Sequence, residues 1–334
     1  MSYTPSLQAL QSLTQHDLEH VNRLILESFN QPIPMIHDIA QHIVRSGGKR
    51  IRPTLTLACH HVLGYAGQHH IPLATAVELI HTATLLHDDV VDESTLRRGI
   101  ATANSIWSNQ ASVLVGDFLF SRAFQLMVAS GSMDALQLLA NASATIAQGE
   151  VHQLMVAGDL HTTTEVYLEV ITRKTATLFE AATEIAPILA GYDTLRLPFA
   201  TFGSTLGIAF QLVDDALDYA ADQAVLGKTV GDDVREGKIT LPLMVAYAAA
   251  NEVERIFWER VISEGNVHDG DIPHAIALVQ KHGGIATTLN LAQDYANQAH
   301  KALDEIADGL PKQANHHALR ALHDTIAFCV HRAM

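Results

Sequence analysis

Long apolar segments without alternation of apolar and polar residues are the feature that most constrains the fold of this chain. A strand with one exposed face alternates, whereas a helix repeats its apolar positions every three to four residues. The main breaks fall at Pro and Gly clusters, such as Pro32, Pro34 and the 227–237 segment. The pattern predicts no sheet and a single all-α domain over residues 1–334. The predicted helices cover 7–28, 36–46, 52–64, 72–92, 111–129, 132–157, 164–190, 195–221, 239–249, 252–264, 272–282, 284–308 and 313–331.

Composition narrows the class of partner. Of 334 residues, 48% are hydrophobic, so a large core is available, and the formal net charge of −15 argues against a nucleic-acid partner. No uninterrupted apolar run reaches the roughly 20 residues of a membrane-spanning helix, so stable membrane insertion is not expected. The first thirty residues lack the order of a signal peptide. With only Cys59 and Cys329, we expect a reducing, cytoplasmic location.

Two copies of an Asp-Asp-x-x-Asp motif are the one repeated feature. Each ends a strongly apolar helical run, and helical spacing gathers its carboxylates on one face. Like charges at this spacing destabilise a helix, and a hard divalent cation such as Mg²⁺ offsets that cost. A solvated helix end is the simpler reading of one copy, and two copies weaken it. The motif residues are Asp88, Asp89, Asp92, Asp214, Asp215 and Asp218.

Cations cluster near glycines and near these motifs. The segment 47–53 (GGKRIRP) places three cations beside two glycines at a predicted helix start, where an anion is favoured. Surface solubility is the alternative for each cation alone. As a group they suggest two diphosphate sites, one using Mg²⁺ and the other using Lys and Arg directly. The further cations are Arg97, Arg98, Arg173, Lys174, Lys228 and Lys238.

Two polar residues share a helix face with the motifs. His81 lies two turns before Asp88, and Gln211 lies three residues before Asp214. For His81, a role as a core histidine and a role as a ligand remain open.

The motifs resemble those of the trans-isoprenyl (polyprenyl) diphosphate synthases. The segments that carry the resemblance are GGKRIRP, HTATLLHDDVVDESTLRRG, VGDFLFSRAF, KTATLFEAA, AFQLVDDALDY and LGKTVGDDVREGKITLP. They are most similar to the bacterial members that make the octaprenyl side chain of ubiquinone. The resemblance implies one all-α helical bundle around a deep central cavity, with both Asp motifs at its mouth, and a homodimer. It also implies repeated condensation of isopentenyl diphosphate onto an allylic diphosphate such as farnesyl diphosphate.

The resemblance also implies roles for individual residues. The six motif aspartates would hold Mg²⁺, about three ions per active site, on the allylic diphosphate. The substrate-binding residues fall into three groups. The allylic diphosphate would be held by Arg97, Lys174, Lys228 and Lys238. Isopentenyl diphosphate would be bound by Lys49, Arg52, His81 and Arg98, with Arg50 assisting. The residues near the reacting carbons would be Thr175 and Gln211. The segment 225–237 would form a loop that closes over the site.

Product length and rival functions complete the interpretation. In the family, aromatic residues at the positions of Ala83 and Thr84 shorten the product, so these small residues favour a long one. Phe120, Met127 and Leu139 are candidates for the pocket floor, and ordinary core packing is the alternative. A shorter-chain (geranylgeranyl) synthase and a non-catalytic partner subunit stay open. A terpene cyclase is disfavoured by the intact second motif, and a bundle metal-storage protein by the absence of Glu-x-x-His.

Twenty histidines form no zinc-type spacing, and exposed surface residues are the simpler reading of them.

Overall fold

The structure is a computed structural model that describes residues 7–45, 48–97, 99–220 and 230–331. Helices dominate every described stretch, which confirms the all-α prediction. They are α1 (Gln8–Ser28), α2 (Pro34–Arg45), α3 (Ile51–Leu63), α4 (His70–Val91), α5 (Ala103–Ile106), α6 (Asn109–Ala129), α7 (Met133–Val156), α8 (Thr164–Ile171), α9 (Thr177–Ala190), α10 (Arg196–Ala220), α11 (Asp232–Arg235), α12 (Leu241–Ala248), α13 (Glu252–Trp258), α14 (Asp271–Lys281), α15 (Gly284–Gly309) and α16 (His316–His331).

The chain divides into two compact units. The first comprises Met1–Ser143, Leu178–Gly203 and Lys301–Thr325, and the second comprises Ala144–Thr177, Ser204–His300 and Ile326–Met334. That the chain forms a single domain around a central cavity stays a prediction.

The core of the first unit is built around α4. Leu73 to Ile80 are all buried, so this part of the helix is covered by protein on every side, and the helix contacts α1, α3 and α6. Helix α1 is amphipathic instead, and Leu10, Val21 and Ile25 lie on its buried face. These contacts fix the orientation of α4, which carries the first Asp motif at its end.

The second unit has a core around Trp258, which is fully buried. Helix α13 begins with a capping box, in which Asn251 and Glu254 exchange hydrogen bonds of 3.0 Å. Glu254 Oε1 also accepts a hydrogen bond of 2.5 Å from Lys281. The bond from Lys281, followed by that from the Asn251 backbone, lowers the pKa of Glu254 from 4.5 to about 2.

The prediction of no sheet is wrong in one place. Strands β1 (Leu96–Arg97) and β2 (Ile100–Ala101) form a short antiparallel hairpin after α4. The chain can turn back there because Gly99 adopts a positive φ of 75°, which glycine reaches without strain. Thr102 closes the hairpin by donating from its hydroxyl to the carbonyl of Ser94 at 2.7 Å.

The predicted continuous helix over 164–190 is also interrupted. Residues Thr172–Ala176 form a π-helical turn between α8 and α9, and Glu259–Ser263 form another after α13. Gly149 of α7 permits the first turn to approach closely, since a Cβ there would lie 2.8 Å from the backbone nitrogen of Lys174. Such π turns are often found at functional positions, and this one carries Lys174 and Thr175.

Some predicted features lie outside the described residues. These are Gly47, Arg98, Lys228 and most of the predicted closing loop. The described part of that loop, from residue 230 onward, contains α11.

Candidate functional site

The first Asp motif occupies the last turn of α4. Asp89 is buried, Asp88 is partly exposed, and Asp92 is the C-terminal capping residue of the helix. The C-terminal end of a helix carries partial negative charge, so carboxylates there destabilise it unless a cation lies nearby. The position of the motif on the helix therefore adds to the need for a cation.

Arg97 provides one such cation. Its Nε and Nη2 atoms lie 2.9 Å and 2.7 Å from the same oxygen, Oδ1 of Asp89. The hairpin makes this contact possible, because β1 turns Arg97 back over the end of α4. Asn104 donates from Nδ2 to the backbone carbonyls of Asp89, at 3.0 Å, and of Ser94, at 3.1 Å, and so joins the motif to α5.

The basic residues at the start of α3 have different surroundings. Arg50 has a positive φ of 49°, and its Nη1 lies 2.5 Å from the buried carboxylate of Glu78 in α4. Arg52 lies beside His81, with 3.1 Å between Nη1 and Nε2, and its guanidinium lies 4.4 Å from the centre of the Phe179 ring. Lys49 is exposed. The structure thus brings Arg52 and His81 together, whereas the charge of Arg50 is balanced inside the protein.

The second Asp motif is part of a hydrogen-bond chain in α10. Gln211 donates to Oδ1 of Asp215 at 2.7 Å and accepts from the Thr175 hydroxyl at 2.9 Å. Tyr167 of α8 donates to Oδ2 of Asp215 at 2.5 Å. Each oxygen of this buried carboxylate is therefore fixed by one donor. Asp214 is partly exposed beside it.

Burial raises the pKa of Asp215 from 3.8 to about 6, although the hydrogen bonds from Tyr167 and Gln211 lower it. The neighbouring carboxylates of Asp214 and Asp218 raise it further. A divalent cation at this position would lower the pKa, because an opposite charge favours the ionised form.

Asp218 is engaged by the backbone of α11. Its Oδ1 and Oδ2 atoms accept from the N–H groups of Asp232 and Asp233 at 3.3 Å and 3.1 Å. Asp218 thus joins α10 to the segment after residue 230. The side chain of Asp233 is partly buried close by, and desolvation, followed by the charge of Asp218, raises its pKa well above 3.8.

Lys174 and Lys238 each contact an acidic side chain. Nζ of Lys174 lies 2.6 Å from Glu150 and 2.7 Å from Gln153, both in α7. Lys238 forms an ion pair with Glu236. A diphosphate bound by either lysine would compete with these neighbours.

An all-oxygen donor set fits Mg²⁺. Both motifs offer carboxylates only, and a carboxylate has about four lone-pair sites, so Asp215 retains acceptor capacity beyond its two hydrogen bonds. Among the described residues, neither motif has three carboxylates whose oxygens lie within 4.8 Å of one another. Mg²⁺ suits such an open set, because it usually takes one or two carboxylates and completes its shell with water and phosphate oxygens.

The residues predicted to control chain length lie on α4 and its neighbours. Ala83 is fully buried, and Thr84 is half-buried with its hydroxyl bonded to the carbonyl of His81. Met127 and Leu139 are fully buried. Phe120 is half-buried and stacks on His87, with 6.1 Å between ring centres.

Sequence reasoning missed several partners of the site residues. They are Tyr167, Glu150, Gln153, Asn104 and Glu78. Each lies 15 or more residues along the chain from the site residue that it contacts. Tyr167 lies in the first turn of α8, whose sequence also contains Glu165 and Glu169, so no local pattern marked it.

Known proteins resemble the chain over most of its length. An octaprenyl diphosphate synthase from Haemophilus influenzae is 43% identical over 310 residues, which is 92% of this chain and 94% of that protein. A polyprenyl synthase from Caulobacter crescentus, solved with calcium and isoprenyl diphosphate, has a TM-score of 0.93 and 46% identity, covering 99% of each chain. A decaprenyl diphosphate synthase from Rhodobacter capsulatus has a TM-score of 0.91 and 47% identity, covering 98% of this chain and 100% of that one.

The polyprenyl synthetase family model matches residues 33–279, a range that includes both Asp motifs. On this match and the similarity of the relatives, the chain belongs to the polyprenyl synthetase family and is a trans-prenyltransferase.

Proposed function

We propose that the protein condenses isopentenyl diphosphate repeatedly onto an allylic diphosphate, with farnesyl diphosphate as starter, and releases all-trans octaprenyl diphosphate for a quinone side chain. The observation that carries this proposal is the construction of the two Asp motifs. In each motif the middle aspartate is buried and fixed by donors: Arg97 contacts Asp89 of α4, and Tyr167 and Gln211 donate to Asp215 of α10. Carboxylates held in this way suit a metal-bound diphosphate.

The Mg²⁺ ions, about three per site, would be held by Asp88, Asp89, Asp92, Asp214 and Asp215. Asp218 would be a further ligand, oriented by the backbone hydrogen bonds that its two oxygens accept from Asp232 and Asp233. When bound, Mg²⁺ would neutralise the charge that develops on the leaving diphosphate. The fixed donors keep the carboxylates oriented, so little reorganisation is needed during the reaction.

The cations divide between the two substrates. Arg97, Lys174 and Lys238, with Lys228, would hold the allylic diphosphate. Lys49, Arg52 and His81, with Arg98, would hold isopentenyl diphosphate, and the 3.1 Å contact of Arg52 with His81 supports this pairing. Arg50 acts through the structure instead, by neutralising buried Glu78. Thr175 and Gln211 would face the reacting carbons.

The reaction needs no side-chain nucleophile. The allylic carbon–oxygen bond breaks with both electrons passing to the leaving diphosphate. The double bond of isopentenyl diphosphate then attacks the carbocation, and a proton is lost to the released diphosphate. Water must be excluded, since it would trap the cation.

An elongation assay tests the proposal. The protein is incubated with farnesyl diphosphate, labelled isopentenyl diphosphate and Mg²⁺, and the products are separated by length. We expect a long product that requires Mg²⁺, and little product from Asp89→Asn, whereas Asp134→Asn, a change at an exposed position of α7, stays active. Absence of Mg²⁺-dependent elongation by the wild-type protein would refute the proposal.

Product length has its own test. Similar relatives make octaprenyl and decaprenyl products, so family membership leaves the length open. Ala83 is fully buried in α4, five residues before Asp88, and its small side chain supports a long product. Ala83→Tyr should shorten the product relative to Ala83→Ser. Equal lengths from both variants would place the pocket floor elsewhere, and a geranylgeranyl product from the wild-type protein would contradict the octaprenyl assignment.

We further propose that a second copy of the chain covers the exposed face of α6. Leu114 and Val128 are 67% and 65% exposed, and Phe124 is 40% exposed. By length and apolarity, α6 is also the one described helix that could cross a membrane, and 44% of its apolar window is buried. The buried share and the charged residues Asp117 and Arg122 favour a protein partner over lipid.

Analytical ultracentrifugation tests this second proposal. The wild-type protein should sediment as a dimer, and Leu114→Lys with Val128→Lys should convert it to a monomer. Val253→Lys, at an apolar position of α13 that is 77% exposed, should remain dimeric. A monomeric wild-type protein, or flotation of the protein with vesicles, would overturn it.

We place the enzyme in the cytoplasm, which the buried Cys59 thiol supports.

A further inference from the structure

Histidines from three helices surround Asp17 in the first unit. His61 of α3 lies with Nε2 2.9 Å from Oδ2 of Asp17, and His70 of α4 lies 3.7 Å from the same oxygen. His16, on α1 itself, lies 3.6 Å from the other oxygen, Oδ1. His20 follows one turn later, with its ring centre 4.6 Å from that of His16. Neither Asp motif contributes to this cluster.

Three of these side chains bring their ligand atoms close together. His16, Asp17 and His20 each offer one ligand atom, and these atoms all lie within 4.8 Å of one another. In a tetrahedral zinc site with bonds of about 2.0–2.1 Å, two ligand atoms are roughly 3.3 Å apart. The 3.6 Å separation of His16 and Asp17 is close to that value. The His16 side chain is 82% exposed, so it has room to rotate towards a bound ion.

The donor types favour a particular class of ion. Two imidazole nitrogens and one carboxylate oxygen suit Zn²⁺, Co²⁺ or Ni²⁺, whereas Mg²⁺ prefers oxygen ligands only. The spacing of the two histidines, i and i+4 on one helix, places both rings on the same face. The cluster therefore differs in selectivity from the Asp motifs.

The surroundings of Asp17 match those of a metal-binding carboxylate. Ligating carboxylates are usually held by hydrogen bonds from neighbouring residues. His61 can donate from Nε2 to Oδ2 and leave Oδ1 for an ion. His61 and His70 are in α3 and α4, so an ion bound on α1 would also strengthen the contact of α1 with these helices.

We propose that His16, Asp17 and His20 bind one divalent transition-metal ion of the zinc class, with water completing the coordination and His61 orienting Asp17. This site is independent of the prenyltransferase reaction. It requires both imidazoles in their neutral form, because a protonated ring has no lone pair for the ion.

The proposal is tested by equilibrium dialysis of the tag-free, full-length protein against Zn²⁺. A large excess of Mg²⁺ is present to occupy sites that offer only oxygen ligands. We expect the wild-type protein to bind one equivalent of Zn²⁺ per chain. His16→Ala with His20→Ala should lose it, and His61→Ala should weaken binding about 10- to 100-fold, as changes to residues that orient ligands commonly do. Zn²⁺ should also raise the melting temperature of the wild-type protein and not that of the double variant.

The matched control is His37→Ala with His161→Ala, which removes two exposed histidines from other parts of the chain. This control should retain the bound equivalent. The proposal fails if the wild-type protein binds no Zn²⁺ under these conditions. It also fails if the double variant retains the ion, because the site would then lie elsewhere. Elongation activity is measured in parallel, and its presence or absence decides nothing about this site.

Discussion

The hydrogen bond from Tyr167 to Asp215 has a consequence that can be measured. The Tyr167→Phe change removes a 2.5 Å bond to a buried carboxylate and leaves the ring in place. A hydrogen bond to a charged group contributes about 1.5–3 kcal/mol, and one pKa unit corresponds to about 1.36 kcal/mol. The pKa of Asp215, about 6 in the wild-type protein, should therefore rise by roughly one to two units in the variant.

The effect on Mg²⁺ binding follows from the ionised fraction. At pH 7 a carboxyl of pKa about 6 is roughly nine-tenths ionised, whereas one of pKa about 7–8 is between roughly one-half and one-tenth ionised. The apparent affinity for Mg²⁺ falls in proportion to the fraction of protein in which Asp215 is ionised. The Mg²⁺ concentration that gives half-maximal elongation should therefore be about two- to tenfold higher for Tyr167→Phe than for the wild-type protein at pH 7. At pH 9 both proteins are largely ionised, and the difference should nearly vanish.

Titration of elongation with Mg²⁺ at pH 7 and pH 9 checks this prediction. Tyr295→Phe is the control, because Tyr295 is a half-buried tyrosine packed against the same core cluster as Tyr167. The control should behave like the wild-type protein at both pH values. An equal loss for Tyr167→Phe at both pH values would refute the argument, because it would show that Tyr167 does not act through the ionisation of Asp215.

Three further predictions concern positions where packing or charge is tightly constrained. Gly149→Ala places a Cβ 2.8 Å from the backbone nitrogen of Lys174, so it should lower the free energy of unfolding by about 1–3 kcal/mol and lower kcat/KM. An unchanged melting temperature together with unchanged kinetics would contradict this prediction. Arg50→Gln leaves the buried carboxylate of Glu78 without its cation, so it should lower the free energy of unfolding, measured with urea, by about 3–5 kcal/mol. A decrease below about 1 kcal/mol would show that the ion pair is solvated. Glu254 has a pKa lowered to about 2, so it stabilises the fold above pH 4.5 and loses that contribution as the pH falls towards 2. Glu254→Gln should therefore have a lower melting temperature than the wild-type protein at pH 7, and this difference should disappear by about pH 2. A difference in melting temperature that stays constant with pH would exclude this linkage.

The sequence by itself determined the helices and the chemistry of the motifs. Apolar periodicity is a local property, so α1, α4 and α10 were predicted to within about two residues of their observed ends. The two Asp motifs and Gln211 were also found in this way, because helical spacing alone places their side chains on one face.

Tertiary structure decided which side chains meet. The bonds from Tyr167 to Asp215 and from Lys174 to Glu150 join residues 48 and 24 positions apart, and no local pattern records such a separation. The hairpin that returns Arg97 to Asp89 and the π turn that carries Lys174 depend on single glycines whose conformation or close contact is fixed by neighbouring elements. His61 and His70 follow the same rule, because the packing of α1 against α3 and α4 brings them to Asp17.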